Sequence, residues 1–392
     1  MDNIGGGIIM KQVSKLFTVN LTYFVVVCLF VVVRLVNAFI DTSSVDTTLT
    51  DTIFTIVVEI VILFVIPVTI YTLMRKQKVG QTFKDFKFSK ISPISILICI
   101  LMGICCYILN LAVSAFFSGL IQLLGYEGGV GVSSGGSTVI DPNSVAALII
   151  NLVLVALLPA ICEETTHRGM LLSGMKKMGV VRAIVYSSIL FGLLHLNINQ
   201  TFYAIVLGMI MAVSVVMSGS ILPAMIIHFL NNGLSVYFAY AQQTGAFGGN
   251  FLPAIYSFLG SGNIIIVFIL CLVFLIVIIG VLAALFYWLM RETQGKRINN
   301  LLKQVVTVTP EDSSTLKNMQ KNKNAPLSGD YLKNITVLNE MLKKYGVHTA
   351  EDLFFGVGEK KQKPTPWENF FFYGSVFLAG LITIFTFIWG LI

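Results

Sequence analysis

Four ionisable residues fall within six positions of Cys162-Glu163-Glu164-Thr165-Thr166-His167-Arg168-Gly169, at the end of an apolar run from Leu152 to Ile161. Two more imidazoles and an amide follow in equally apolar surroundings: His195, closing Phe191-Gly192-Leu193-Leu194-His195, and His228 with Asn232 in His228-Phe229-Leu230-Asn231-Asn232. An ionisable side chain inside a membrane span costs at least ~2.5–3.5 kcal/mol on insertion scales, so such a set points to a functional site. The competing reading is an ion-pair network that only holds helices together. On a helix, Glu164 and Arg168 are i,i+4 and can pair, and Glu163 and His167 form a second such couple. A carboxylate can take a proton from water, an imidazole can donate to a leaving amine, and a fixed amide can stabilise an oxyanion. Together these are the parts for amide hydrolysis by an activated water. There is no G-x-S-x-G and no H-E-x-x-H, which disfavours a serine hydrolase and the common zincin. Cys162 as a nucleophile would need a histidine within reach and is disfavoured. Glu163, His195 and His228 also form a one-carboxylate, two-imidazole set that suits Zn2+ with a position open for water. The residues leave the bare-glutamate and zinc mechanisms both open.

The elements that must carry these groups are membrane helices. The chain is 56% hydrophobic and 11% charged over 392 residues, against about 25% charged in soluble domains. The backbone must therefore satisfy itself within the bilayer, and an all-α polytopic bundle is expected, with about eight core spans and one C-terminal span. The formal net charge of +7 reads as cytoplasmic loops and not as nucleic-acid binding. The six cysteines lie inside apolar runs without a C-x-x-C pair and read as packing residues.

In order, the expected spans are 16–40, 52–74, 93–124, one beginning near Ser144 that contains the Glu-Glu stretch, then 181–196, 202–217, 221–241, 263–290 and 367–392. The first is too long for a signal-peptide core and lacks a small-residue cleavage site, so it is expected to stay as an anchor. Arg34 and Glu59 flank the acidic loop 41–51 at similar distances, and an Arg34–Glu59 pair is expected. The basic stretch Arg75 to Lys90, interleaved with Phe83, Phe86 and Phe88, suits a membrane surface. The Gly/Ser-rich segment 125–143 and the neutral segment 242–262 read as loops. Residues 291–366 hold 13 Lys/Arg against 8 Asp/Glu and read as a solvated cytoplasmic insert, with a short amphipathic helix at 332–345 and an exposed His348. The organisation is thus 1–143 (N-terminal spans and loops), 144–241 (catalytic core spans), 242–290 (eighth span and its loop), 291–366 (insert) and 367–392 (last span). Alternate loops at 41–51, 125–143, 197–201 and 242–262 lack Lys and Arg, which places the N-terminus in the cytoplasm of a multi-pass cell-membrane protein. No internal repeat supports an inverted-repeat transporter.

Depth brings the polar residues together. With Met178 at the base of a helical hairpin, Glu163 and His195 lie 15 and 17 residues away on opposite arms, both roughly 22–26 Å up. From the next turn on that side, Ser220, Asn232 is 12 residues beyond, or roughly 18 Å up, with His228 one turn below on the same face. One pocket is expected to hold Glu163, His195, His228 and Asn232.

The three motifs Glu163-Glu164-x-x-x-Arg168, Phe191-x-x-x-His195 and His228-x-x-x-Asn232, in that order and each in an apolar span, resemble those of the CPBP family over about residues 144–241. These are the CAAX-protease and bacteriocin-processing intramembrane proteases, also called Abi proteins, and they include the type II CAAX prenyl protease. The resemblance implies an eight-helix-type membrane core. In it Glu163 would activate water, His195 and His228 would assist or bind metal, Asn232 would steady the oxyanion, and Glu164, Arg168 and Phe191 would support them. One departure is His167, where the family has an aromatic residue. It is open to reading as a tolerated change, an extra ligand, or a perturber of Glu163. The expectation is an intramembrane endopeptidase acting on prenylated CAAX-like tails, small peptides or bacteriocin precursors. The rival readings are an ion- or proton-coupled transporter and a non-catalytic immunity or scaffold protein.

Overall fold

A computed structural model describes residues 13–39, 47–123, 125, 138–261, 264–293 and 363–389, with positions 311, 314, 340 and 344. The loop 41–51 over most of its length, most of 125–143, and most of the 291–366 insert, including most of its expected 332–345 helix and His348, lie outside the described residues. Among those described there is no strand, and the molecule is an all-α membrane bundle.

The helices are α1 (Lys15–Phe39), α2 (Thr47–Ile56), α3 (Ile66–Met74), α4 (Val79–Asp85), α5 (Pro93–Leu123), α6 (Val145–Asn151), α7 (Leu158–Glu164), α8 (Leu172–Gly174), α9 (Val180–Leu194), α10 (Ile198–Ser218), α11 (Leu222–Thr244), α12 (Phe251–Ser261), α13 (Ile264–Glu292) and α14 (Pro366–Trp389). The rods are longer than this division suggests. A π-helical stretch Val57–Val65 joins α2 to α3, and π-helical stretches Leu152–Leu157 and Thr165–Leu171 join α6, α7 and α8. Seven rods are long and apolar enough to cross a membrane: Lys15–Val36, Thr48–Met74, Pro93–Phe117, Val145–Gly174, Ile198–Ser218, Leu272–Glu292 and Pro366–Phe385. The other two expected spans correspond to α9 and α11. Helix α9 has 15 residues, or about 22 Å, short of the ~30 Å hydrocarbon core. Helix α11 carries His228, Asn231, Asn232, Gln242 and Gln243. Those two helices hold the site's histidines, so the same residues that suggest function also weaken the hydropathy signal. The expected loop 242–262 contains helix α12, which an even spread of apolar residues between Gly249 and Gly260 did not announce.

The ends of the chain pair: α1 packs along α14. Thr365 and Glu368 form a capping box at the start of α14, Thr365 N–H donating to Glu368 Oε2 at 2.7 Å and Glu368 N–H to Thr365 Oγ1 at 3.3 Å. The other oxygen of that carboxylate accepts from Ser14 at 2.6 Å, and Asn20 Nδ2 donates to the Glu368 carbonyl at 2.8 Å.

The phenyl rings of the basic stretch after α3 turn inward, while Lys76, Lys78, Lys84 and Lys90 stay exposed. Phe86 is fully buried, its ring 4.9 Å from that of Tyr71, and Phe83 and Phe88 pack edge to face at 5.0 Å against the core. Phe86 fills the space beside Gly169. The Lys87 carbonyl accepts from Ile221 N–H at 3.1 Å, and Ser220 Oγ donates to the Ser89 carbonyl, which ties the segment to the α10–α11 turn. At the end of α4, burial pushes the Asp85 carboxyl up. Hydrogen bonds from Gln77, Gln81 and Tyr71 and the charge of Lys15 outweigh it and hold the group below the usual carboxylate range.

Helices α9 and α10 form the tightest hairpin. Leu196 takes a left-handed φ of 49°, which ends α9 at His195, and Asn197 caps α10 by accepting from Asn199 N–H at 2.9 Å. Gly192 lets the two backbones meet: a Cβ there would lie 2.6 Å from the Thr201 carbonyl oxygen. Gly192→Ala is therefore expected to lower stability by about 1–3 kcal/mol through overpacking, read as an earlier thermal unfolding transition in detergent. Gly280→Ala in α13, where nothing lies within 4 Å, should be neutral or slightly stabilising. Equal behaviour of the two variants would contradict this packing.

Candidate active site

The carboxylates sit on the α6–α8 rod, and a proline shapes the wall around them. Pro159 has no N–H to return to the carbonyl four residues back. That carbonyl, Val155 O, accepts instead from Asn232 Nδ2 at 3.0 Å. The second rod repeats the device: Pro67 leaves the Leu63 carbonyl to Thr166 Oγ1, at 2.5 Å. Each proline thus frees a backbone acceptor in a π-helical stretch, and a side chain from a neighbouring helix takes it. Such local departures from α geometry are common at functional sites.

Behind the cavity wall lies a buried charge chain. Arg168 and Glu164 are both fully buried. Arg168 Nη1 donates to Glu164 Oε1 at 2.7 Å and Nη2 donates to the Gly208 carbonyl at 3.1 Å. The same Glu164 Oε1 accepts from His228 Nδ1 at 2.9 Å. Gly208 makes room for this, since a Cβ there would sit 3.1 Å from Nη2. The Phe191 ring is the hub: the guanidinium lies 4.2 Å from its centroid, and the rings of His167, His195 and His228 meet it edge to face at 5.0, 5.2 and 5.8 Å.

In front of the chain is a cavity of about 170 Å³ whose lining includes Glu163, His195, His228, Asn232, Phe191 and Glu59. The four residues expected to share a pocket do so. Each histidine has one nitrogen anchored. His195 Nδ1 donates to the Phe191 carbonyl at 3.0 Å and His228 Nδ1 to Glu164, so both Nε2 atoms are the free ones. His228 Nε2 stands 4.0 Å from Glu163 Oε2, and that oxygen is buried without a hydrogen-bond partner. Asn232 is oriented by a relay: Ser114 Oγ donates to Asn110 Oδ1, Asn110 Nδ2 to Asn231 Oδ1, and Asn231 Nδ2 to Asn232 Oδ1, each at 3.0–3.1 Å. Fully buried Asn151 holds the segment that passes over the cavity, accepting from Val139 N–H and Ile140 N–H and donating to the Ile140 carbonyl.

Two expectations change. Arg34 and Glu59 do not pair, because no ion pair joins them and Arg34 stacks on Phe30 and Phe54 at 5.3 and 5.1 Å instead. Glu59, carried on the π-helical stretch of the second rod, faces Glu163 at hydrogen-bonding range. Its signal was present as an ionisable residue in an apolar run, and equal distance from a loop assigned it the wrong partner. His167 does not couple to the Glu163 side chain. Its Nδ1 donates to the Glu163 backbone carbonyl at 2.8 Å and its Nε2 lies 3.1 Å from Tyr23 Oη, whose single proton has that nitrogen and the Leu190 carbonyl, at 2.9 Å, as its two acceptors. Both of its nitrogens are engaged behind the cavity, so it is neither a ligand nor a neighbour of the carboxylate. Asn110, Asn231 and Tyr203, which also contribute to the site or its support, were not singled out, since an isolated Asn or Tyr in an apolar span gives no distinctive pattern.

The zinc variant finds no matching geometry. Among the described residues no three His, Cys, Asp or Glu side chains converge closely enough to hold one ion. Two ligands about 2 Å from a tetrahedral zinc lie roughly 3.3 Å apart, less than the 4.0 Å between Glu163 and His228.

Residues 145–234, which carry all three motifs, match the family model "Type II CAAX prenyl endopeptidase Rce1-like". The CPBP resemblance is shown for this stretch. No curated protein and no solved structure matches the chain.

Breaking one side of a buried ion pair costs about 3–5 kcal/mol, because the partner charge is left unpaired. Arg168→Ala is expected to destabilise by that order in thermal unfolding of the detergent-solubilised protein, and Arg168→Lys to recover little, since one ammonium cannot serve Glu164, Gly208 and Phe191 together. Wild-type stability of Arg168→Ala would contradict the placement of the pair.

Proposed function

We propose that this protein is an intramembrane endopeptidase in which Glu163 activates a water against a peptide bond. The observation that carries the reading is the convergence of Glu163, His195, His228 and Asn232 on one cavity, with both imidazole Nε2 atoms free and one Glu163 oxygen unbonded. Glu163 takes a proton from water as the oxygen attacks the carbonyl carbon. The second Nδ2 hydrogen of Asn232, whose first goes to Val155, donates to the resulting oxyanion. Glu163 then hands that proton to His228 Nε2, 4.0 Å away, and the imidazolium passes it to the amine nitrogen as the C–N bond breaks and the carbonyl re-forms. Glu164, held by Arg168, steadies the imidazolium that forms on the way. His195, whose Nε2 is the free nitrogen, positions the water or the amine.

The family matched by the central spans supports a prenylated CAAX-like tail as the substrate class. The cavity is smaller than the ~300–1,000 Å³ of a drug-sized ligand site, which suits it to the reacting bond and its flanking groups, with the lipidated part of a substrate left toward the bilayer. The distribution of lysine and arginine among the loops supports an N-terminus in the cytoplasm.

The test is a peptide-product profile. Wild-type protein and Glu163→Ala in nanodiscs are given a mixed library including prenylated C-terminal peptides, and products are read by mass spectrometry with and without a chelator. Cleavage is expected from wild type, to persist with chelator, and to vanish in Glu163→Ala and His228→Ala while both remain folded. Asn232→Ala should lower kcat by about 10²–10³-fold, the cost of one oxyanion donor. Near-wild-type cleavage by Glu163→Ala or His228→Ala, or Glu163-dependent ion flux without a peptide product, would contradict the proposal.

A further inference from the structure

A second cavity, about 140 Å³, adjoins the first. The two share Glu59, Glu163 and His195, and the second continues between α1 and α2 to Arg34, Phe30 and Phe54. Its size is close to the ~150 Å³ of an engineered cavity that takes benzene, so it has room for a terminal carboxylate and a small side chain. Among the described residues no lysine or other arginine lines either space. Glu59 and Glu163 make their junction repellent to an anion, and Arg34 supplies a fixed positive charge at the far end.

Arg34 is built to present that charge. Its guanidinium lies over two phenyl rings at 5.3 and 5.1 Å, which fixes its plane. No carboxylate among the described residues lies within ion-pair range of it, and the residue stays accessible from outside. A planar guanidinium with free N–H edges matches a carboxylate through paired hydrogen bonds.

We infer that Arg34 binds the free C-terminal carboxylate of the peptide that reaches Glu163, so that the chain reads a tail end and not an internal segment. This rests on the peptidase reading for the identity of the ligand. It sets the direction of the bound peptide: the terminal carboxylate lies at Arg34, the bond to be cut lies at Glu163, and the upstream part lies along the apolar wall of Leu154, Val155 and Leu207. The fragment released is accordingly short.

The experiment reads binding without turnover. Protein carrying Glu163→Gln, in nanodiscs of neutral lipid and of neutral lipid with an anionic one, is titrated with a fluorophore-labelled, S-farnesylated Cys-Val-Val-Leu peptide, as the free acid and as the C-terminal amide. The acid is expected to bind at least about tenfold more tightly than the amide, the scale of hydrogen bonds to a charged group. Adding Arg34→Gln should weaken the acid alone and erase the difference, and Arg34→Lys should restore part of it. Equal binding of acid and amide overturns the inference, and this comparison needs no Arg34 variant. So do a preference that survives Arg34→Gln, absence of saturable binding by either peptide, and an Arg34 effect seen only with anionic lipid, which would assign the residue to a headgroup. A wild type that binds the acid but cuts no peptide would sink the peptidase reading and leave the carboxylate site standing.

Discussion

A guanidinium and a carboxylate, both fully buried in the membrane-embedded part of the protein, constrain everything around them. In such a medium each charge alone costs several kcal/mol, and pairing with added hydrogen bonds offsets much of that cost. Arg168 gains the Gly208 carbonyl and the Phe191 face as well as Glu164, and Glu164 draws in His228 as a further donor, while Arg168 Nε and Glu164 Oε2 stay without a hydrogen-bond partner. Those contacts bring α9, α10 and α11 to the α6–α8 rod at one depth. The adjacent Glu163 points to the other side of the same helix turn, where its outer oxygen has no partner. Neutralising one of two neighbouring carboxylates leaves the other available as a base.

The remaining geometry comes from interruptions of regular helix. Pro67 and Pro159 release backbone acceptors that tie three helices together through Thr166 and Asn232. The short α9, stopped by the left-handed Leu196, ends on His195 within the thickness of the bundle instead of at its surface. An uninterrupted helix at either place would bury the same residues without aiming them into a common space.

Much of this was legible from residue types and spacing. The i,i+4 rule found the Glu164–Arg168 pair, and counting residues from the Met178 turn brought Glu163 and His195 to one level. Three ordered motifs pointed to the family matched by residues 145–234. The failures share a cause: a one-dimensional count fixes depth along a helix but not the direction a side chain takes around it. Arg34 and Glu59 stand at comparable distances from their loop and still face different partners. Phe83, Phe86 and Phe88 alternate with lysines, and the alternation alone does not say that their rings pack toward the core, Phe86 beside Gly169 and Tyr71. The amides of Asn110 and Asn231 matter only through the chain of contacts that ends on Asn232, which no spacing rule encodes.

Direct attack of a Glu163-activated water is tested most directly by single-turnover cleavage in ¹⁸O-water, with the peptide product and the protein's own Glu163-containing fragment both read by mass spectrometry. Direct hydrolysis places one ¹⁸O in the new carboxyl terminus of the peptide, none in Glu163 and none in a covalent adduct, and Glu163→Gln yields no labelled product. Label found in the Glu163 side chain, a peptide trapped on Cys162, or equal labelled product from Glu163→Gln would contradict it.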